Sequence, residues 1–159
     1  MAKRFQVEVL ETGVKAVVEL LESEAPRTCA ALWQILKHGY QANAVHARWS
    51  GPEVVALVPP EAHAGVEPRD IGIENATTYP NRGDVCWMYR PAGMYRFMRE
   101  EAWDVAFIYG DECRFYIPSG MIMMNVWGKI VEGLDAFAKD CSQVCQGERK
   151  TLRIRSISE

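Results

Sequence analysis

Phe5, Val7 and Val9 alternate with Arg4, Gln6 and Glu8. One face of this segment is apolar and the other polar, the period of a half-buried strand. Glu11-Thr12-Gly13 turns the chain, with Gly13 free to take positive φ, and Ala16, Val18 and Leu20 continue a second strand of the hairpin. The period then changes. Pro26 stands at a first helical position, with Ser23 or Glu24 placed to cap it, and Cys29, Leu32, Trp33 and Leu36 form one apolar stripe. Lys37 and His38 occupy the last turn and Gly39 follows, so the pattern predicts a helix over 26–38.

Most of the remaining chain reads as strands: 45–49, 53–58, 84–89, 105–109, 125–131 and 152–157. Ser50-Gly51-Pro52 joins the first two of these. A long connection over 59–72 carries Pro59, Pro60, Gly65, Pro68 and Gly72, and its length marks a functional or edge-covering loop. A second short helix over 133–141 puts Leu134, Phe137, Ala138 and Cys141 on one face. Many short strands with two helices far apart in sequence predict an antiparallel barrel or sandwich. No strand–helix alternation and no Gly-x-Gly-x-x-Gly occurs, which argues against a Rossmann-type nucleotide site. No repeat or linker divides the chain, so one domain over 1–159 is expected.

Composition narrows the class. Of the 159 residues, 48% are hydrophobic and 25% charged, enough apolar material for a packed core. The net charge of -3 and the lack of a Lys/Arg cluster speak against a nucleic-acid partner. The longest apolar runs, over 54–58 and 121–124, are too short to span a bilayer, and the first residues lack the apolar core of a signal peptide. A cytoplasmic protein with no membrane partner is expected. The five cysteines, an odd number, read as reduced and mostly buried thiols. Cys141 and Cys145 lie four apart without a companion Cys-x-x-Cys or His pair, so neither a metal nor a cofactor is expected.

The run Val126-Trp127-Gly128-Lys129-Ile130-Val131-Glu132-Gly133-Leu134-Asp135 resembles the cyclophilin pattern Phe-Gly-Lys-Val-x-x-Gly-Met-Asp, a strand that runs into the second helix. Glu24-Ala25-Pro26-Arg27-Thr28 resembles the Ala-Pro-Lys-Thr that opens the first cyclophilin helix, and His46-Ala47-Arg48 stands where cyclophilins have Phe-His-Arg. With the order of elements, the resemblance covers most of the chain. His46 to Gly51, Glu74 to Thr77 and the Pro/Gly turn before the next strand are more similar still to an uncharacterised bacterial branch of the cyclophilin-like superfamily. The resemblance implies an all-β dominated fold: a closed antiparallel eight-stranded β-barrel with two capping α-helices and a ligand cleft on its outer wall. Arg48 takes the place of the arginine that contacts the isomerising peptide. The Phe-Met-x-Gln stretch, however, becomes Glu53-Val54-Val55-Ala56, Gln-Phe-Phe becomes Ala106-Phe107-Ile108, and the active-site His becomes Met124. The aromatic floor of a proline pocket is lost, which argues against prolyl isomerisation. Other cyclophilin-like domains occur in bacterial enzymes that open cyclic amides.

Several residues bear chemistry. His46 and Arg48 are two apart on a predicted strand and so share a face. An imidazole beside a permanent cation suits a carboxylate or a developing oxyanion, and the plain alternative is a solvated edge strand. Glu74 is placed to pair with Arg48 or orient His46, like the third member of a triad. Alternatively Glu74 and Asn75 cap a turn. The candidate catalytic set is therefore His46, Arg48 and Glu74. The candidate ligand contacts are Arg48, Trp49, Asn75 and Tyr79, with Phe107 and Met124 added at the positions the resemblance assigns to the cleft. Cys86 or Cys113 offers a thiol nucleophile, weighed against two small buried hydrophobes. The reading is a cleft that binds a small, anionic ligand, a carboxylated or amide metabolite, with hydrolysis, ring opening or isomerisation as the chemistry. The alternatives are a non-catalytic binding or homo-oligomerising module and a peptidyl-prolyl isomerase.

Overall fold

The computed structural model describes residues 2–157. Eight antiparallel strands close a barrel: β1 (Arg4–Val9), β2 (Lys15–Leu20), β3 (Tyr40–His46), β4 (Glu53–Leu57), β6 (Asp84–Arg90), β7 (Ala102–Ile108), β10 (Met124–Glu132) and β11 (Thr151–Ser156). They neighbour one another in the order β2-β1-β11-β3-β4-β7-β6-β10, and β10 returns to β2. The short β5 (Ala76–Thr77) adds to the start of β10, and β8 (Tyr116–Ile117) pairs with β9 (Gly120–Met121) in a separate two-stranded piece.

The alternating apolar positions fill the barrel. Phe5, Val7, Val18, Val54, Phe107, Trp127 and Ile154 are fully or almost fully buried, with Phe5 stacked on Trp127 at 5.3 Å between ring centroids. Helix α1 (Pro26–His38) packs its Cys29–Leu32–Trp33–Leu36 stripe on β11 and β10. Helix α2 (Leu134–Cys145) lies against β3, β2 and β4, and its Phe137 meets Phe107 edge to face at 5.6 Å. Two glycines of the Trp127 to Asp135 run explain that motif. Gly128 lies opposite Leu20 where β10 closes on β2, and a Cβ there would come within 2.7 Å of Val18 Cγ1. Gly133 has φ +77° and sits against the Lys15 carbonyl, so a side chain there would collide with backbone.

The first helix has the bounds the pattern predicts, but its cap differs. Ala25 at the N-cap offers no side-chain acceptor, and Ser23 turns its hydroxyl to Glu24. The second helix runs a turn beyond the 133–141 expected from its stripe. The third strand is the clearest departure. It covers Tyr40–His46, not 45–49, and the chain bends over 48–52. Its partly buried positions include Ala42 and Ala44, too small to give a hydrophobic alternation. Among the described residues no helix is long and apolar enough to cross a membrane.

One wall of the barrel carries a second apolar layer on its outside. Cys86, Met88, Ala106, Ile108, Met124 and Val126, on β6, β7 and β10, cluster with Cys113 and Phe115 from the connection after β7. That connection therefore covers the outer face of the sheet, and the cleft described next lies beside it.

Candidate functional site

A cavity of about 340 Å³ opens on this outer wall. Its floor is the outward face of β4, where Glu53, Val55 and Leu57 recur at every second position, with Val45 opposite Val55 on β3. Phe115, Ile117, Ile122 and Met124 form one side. Arg48 and Trp49, in the bend between β3 and β4, form the rim. Trp49 meets Phe97 of the β6–β7 connection edge to face at 6.1 Å, so two half-exposed rings span the mouth.

Three charged elements face this mostly apolar space. Asp104 on β7 takes two hydrogen bonds from the Arg90 guanidinium, at 2.9 and 3.2 Å. Burial outweighs that cation and holds the Asp104 carboxyl above its usual range. Glu53 is only 5% exposed, and no cation pairs with it among the described residues. Burial pushes its carboxyl up to about 7, the nearby Asp104 adds to the rise, and a hydrogen bond with Ser50 opposes it. Arg48 is exposed and makes no ion pair among the described residues. Two carboxyls thus share one wall, both raised by burial, and among the described residues only Asp104 has an arginine beside it.

Residues 7–154 match the protein family of unknown function DUF3830. The chain belongs to the DUF3830 family. No curated protein matches it in sequence. Among solved structures, the DUF3830 chain is similar to McbB in complex with tryptophan, at 16% identity and TM-score 0.67, over 98% of this chain and 45% of McbB. It is also similar to the Mimivirus cyclophilin, at 14% identity and TM-score 0.58, over 97% of this chain and 87% of that one. A Cryptosporidium parvum cyclophilin-type peptidyl-prolyl cis-trans isomerase matches at 13% identity and TM-score 0.52, over 100% and 99% of the two chains. The chain spans less than half the length of McbB. These likenesses are of fold, and they bear out the cyclophilin-like resemblance carried by the Trp127 to Asp135 run.

The expected site residues of this DUF3830 protein fall in two places. Arg48, Trp49, His46 and Met124 line the cavity. His46 and Arg48 do not share a strand face, because β3 ends at His46 and Arg48 lies in the bend. The His46 ring is also fully engaged: Nδ1 lies 2.8 Å from the Ala47 carbonyl and Nε2 2.6 Å from the Tyr109 hydroxyl. A carbonyl only accepts, so Nδ1 donates to Ala47 and Nε2 is bonded to the Tyr109 hydroxyl. His46 therefore presents no free base to the cavity.

Glu74 is not at the cavity. Its carboxylate accepts from the Thr28 N–H at 2.6 Å and the Thr28 hydroxyl at 2.8 Å, and lies 3.4 Å from Arg27. It is the cap that α1 lacks locally, supplied across 46 residues of sequence. Asn75 holds a left-handed turn at φ 44° and donates to the Val126 carbonyl at 2.7 Å. Tyr79 is 68% exposed and lines no part of the cavity, and Phe107 points into the barrel. Both cysteines are buried, and burial pushes the Cys113 thiol up to about 12 and the Cys86 thiol well above its ordinary value, which disfavours the thiolate at neutral pH.

Sequence reasoning missed Glu53, Asp104 and Arg90 as site residues. A signal existed for two of them. By the resemblance to cyclophilins, Glu53 stands where an aromatic floor is expected, and Asp104 interrupts the otherwise apolar Trp103-Asp104-Val105-Ala106-Phe107-Ile108.

Proposed function

We propose that the outer cleft binds a small organic carboxylate with an apolar, ring-sized body, and acts on it. The observation that carries this reading is Arg48: a guanidinium without a carboxylate partner among the described residues, at the rim of a cavity whose walls are mostly apolar. A guanidinium offers a carboxylate two parallel donors, and a charged hydrogen bond contributes roughly 1.5–3 kcal/mol. The walls of Val45, Val55, Leu57, Phe115 and Ile122 favour an apolar body behind that headgroup, and the Trp49 and Phe97 rings at the mouth favour a flat one. McbB, solved with tryptophan, supports the same chemistry, since tryptophan joins a flat apolar ring to a carboxylate. An amide substrate is the close variant, with its carbonyl accepting from the protonated Glu53. Prolyl isomerisation fits less well, because the floor is a carboxyl instead of an aromatic ring.

The test is an NMR titration of the protein with tryptophan and with phenylpyruvate. The reading expects saturable shifts at the Trp49 indole N–H and at the backbone of Arg48, Ser50 and Glu53. Shifts confined to the Glu74 region, or none at the Trp49 indole, refute it.

A further inference from the structure

We propose that Glu53 is the catalytic proton-transfer group of the cleft, moving a proton within a 2-oxo carboxylate between the carbon next to the keto group and the keto oxygen. This rests on the carboxylate-site reading above and adds the reaction.

Glu53 faces outward on β4 in register with Val55 and Leu57, opposite Ile108 of β7. Glu53 lines the cavity although the residue is only 5% exposed. A carboxyl buried this deeply either pairs with a cation or shifts its pKa upward and stays neutral. Asp104 has one in Arg90, and Glu53 has none among the described residues. Its Ser50 partner is itself held in place, accepting from the Tyr116 N–H at 3.4 Å. Burial raises both carboxyls, but among the described residues only Asp104 has an arginine to pair with when it ionises. With Glu53 titrating at about 7, both its forms are populated at neutral pH, so it can take a proton and return it.

A weak base of this kind removes a proton only from a carbon acidified by a neighbouring carbonyl. Arg48 requires a carboxylate on the same molecule. A 2-oxo carboxylate meets both demands. The C–H bond next to the keto carbon breaks and its proton passes to a Glu53 carboxylate oxygen. The C–H electron pair becomes the new C=C bond, and the carbonyl π pair moves to oxygen, where the Arg48 charge stabilises it. Glu53 then returns the proton to that oxygen. The keto form becomes the enol, atoms and charge balance, and no co-reactant is consumed.

Phenylpyruvate in D2O is the probe, with loss of its C3–H signal followed by proton NMR and binding followed in parallel by calorimetry. The inference expects exchange at least about 100-fold above buffer, with a rate that rises as Glu53 ionises and levels above pH about 7. Glu53→Gln, which keeps the shape and the Ser50 contact, is expected to bind the probe and exchange it at the buffer rate, and Glu53→Asp to fall between. Arg48-dependent binding with wild-type exchange at the buffer rate, or Glu53→Gln exchanging as fast as wild type, overturns the inference and leaves the carboxylate site standing. No Arg48-dependent binding of phenylpyruvate refutes the site and this inference together.

Discussion

Replacing Glu53 by glutamine should make the protein more stable, and increasingly so as pH rises. The folded state holds the Glu53 proton to about pH 7, whereas the unfolded chain releases it near 4.5. Between those values the folded state binds more protons than the unfolded state, so rising pH favours unfolding. The penalty is absent below the unfolded value and complete above the folded one. Holding the proton from near 4.5 up to about 7 amounts to roughly 3 kcal/mol at pH 8. Glutamine carries no charge to desolvate and preserves the side-chain volume. Asp104 titrates in both proteins, so its share largely cancels in the comparison. Urea unfolding of wild type and Glu53→Gln at pH 5 and pH 8 measures the effect. The advantage of the variant should be small at pH 5 and approach roughly 3 kcal/mol at pH 8. A gap that stays flat across this range would show that Glu53 ionises freely in the folded protein, and the acid–base argument would fail with it.

Glu74→Ala removes the cap of α1 and should lower stability by about 1–2 kcal/mol in thermal or denaturant unfolding, with phenylpyruvate affinity unchanged. Lost affinity at unchanged stability would return Glu74 to the ligand site. Tyr40→Phe deletes a buried hydroxyl that has no partner among the described residues, so stability should hold or rise by up to about 1 kcal/mol. A clear loss in the same unfolding assay would show that the hydroxyl is bonded. A protease-coupled assay on a proline peptide should show no acceleration above background, because Glu53 takes the place of the aromatic floor. Turnover like that of a cyclophilin would contradict this.

The hairpin, the first helix and the Trp127 to Asp135 run were legible because each is specified locally, by alternation, by a helical stripe, or by glycines that closure of β10 on β2 requires. The third strand was not, since Ala42 and Ala44 face the barrel without a hydrophobic signal. Arg48 and Met124, singled out by the resemblance to cyclophilins, and Trp49, singled out as a pocket-walling ring, all line the cavity. Glu53 was visible as a departure from that family, yet its chemistry was not. The pattern Glu53-Val54-Val55-Ala56-Leu57 does not say whether its outer face meets water or protein. That face is covered by chain around Phe115 and Ile122, far away in sequence, which turns an ordinary surface glutamate into a buried acid. Glu74 was misplaced for a similar reason. Its partner is a helix N-terminus 46 residues upstream, and no local pattern announces such a pairing.

The most direct test of the carboxylate cleft is calorimetric titration of phenylpyruvate into wild type, Arg48→Lys and Arg48→Ala. Lysine keeps the charge but not the planar fork, so affinity should fall at Arg48→Lys and further, about tenfold or more from wild type, at Arg48→Ala. Equal affinity in all three proteins would contradict the assignment of this cleft as a carboxylate site.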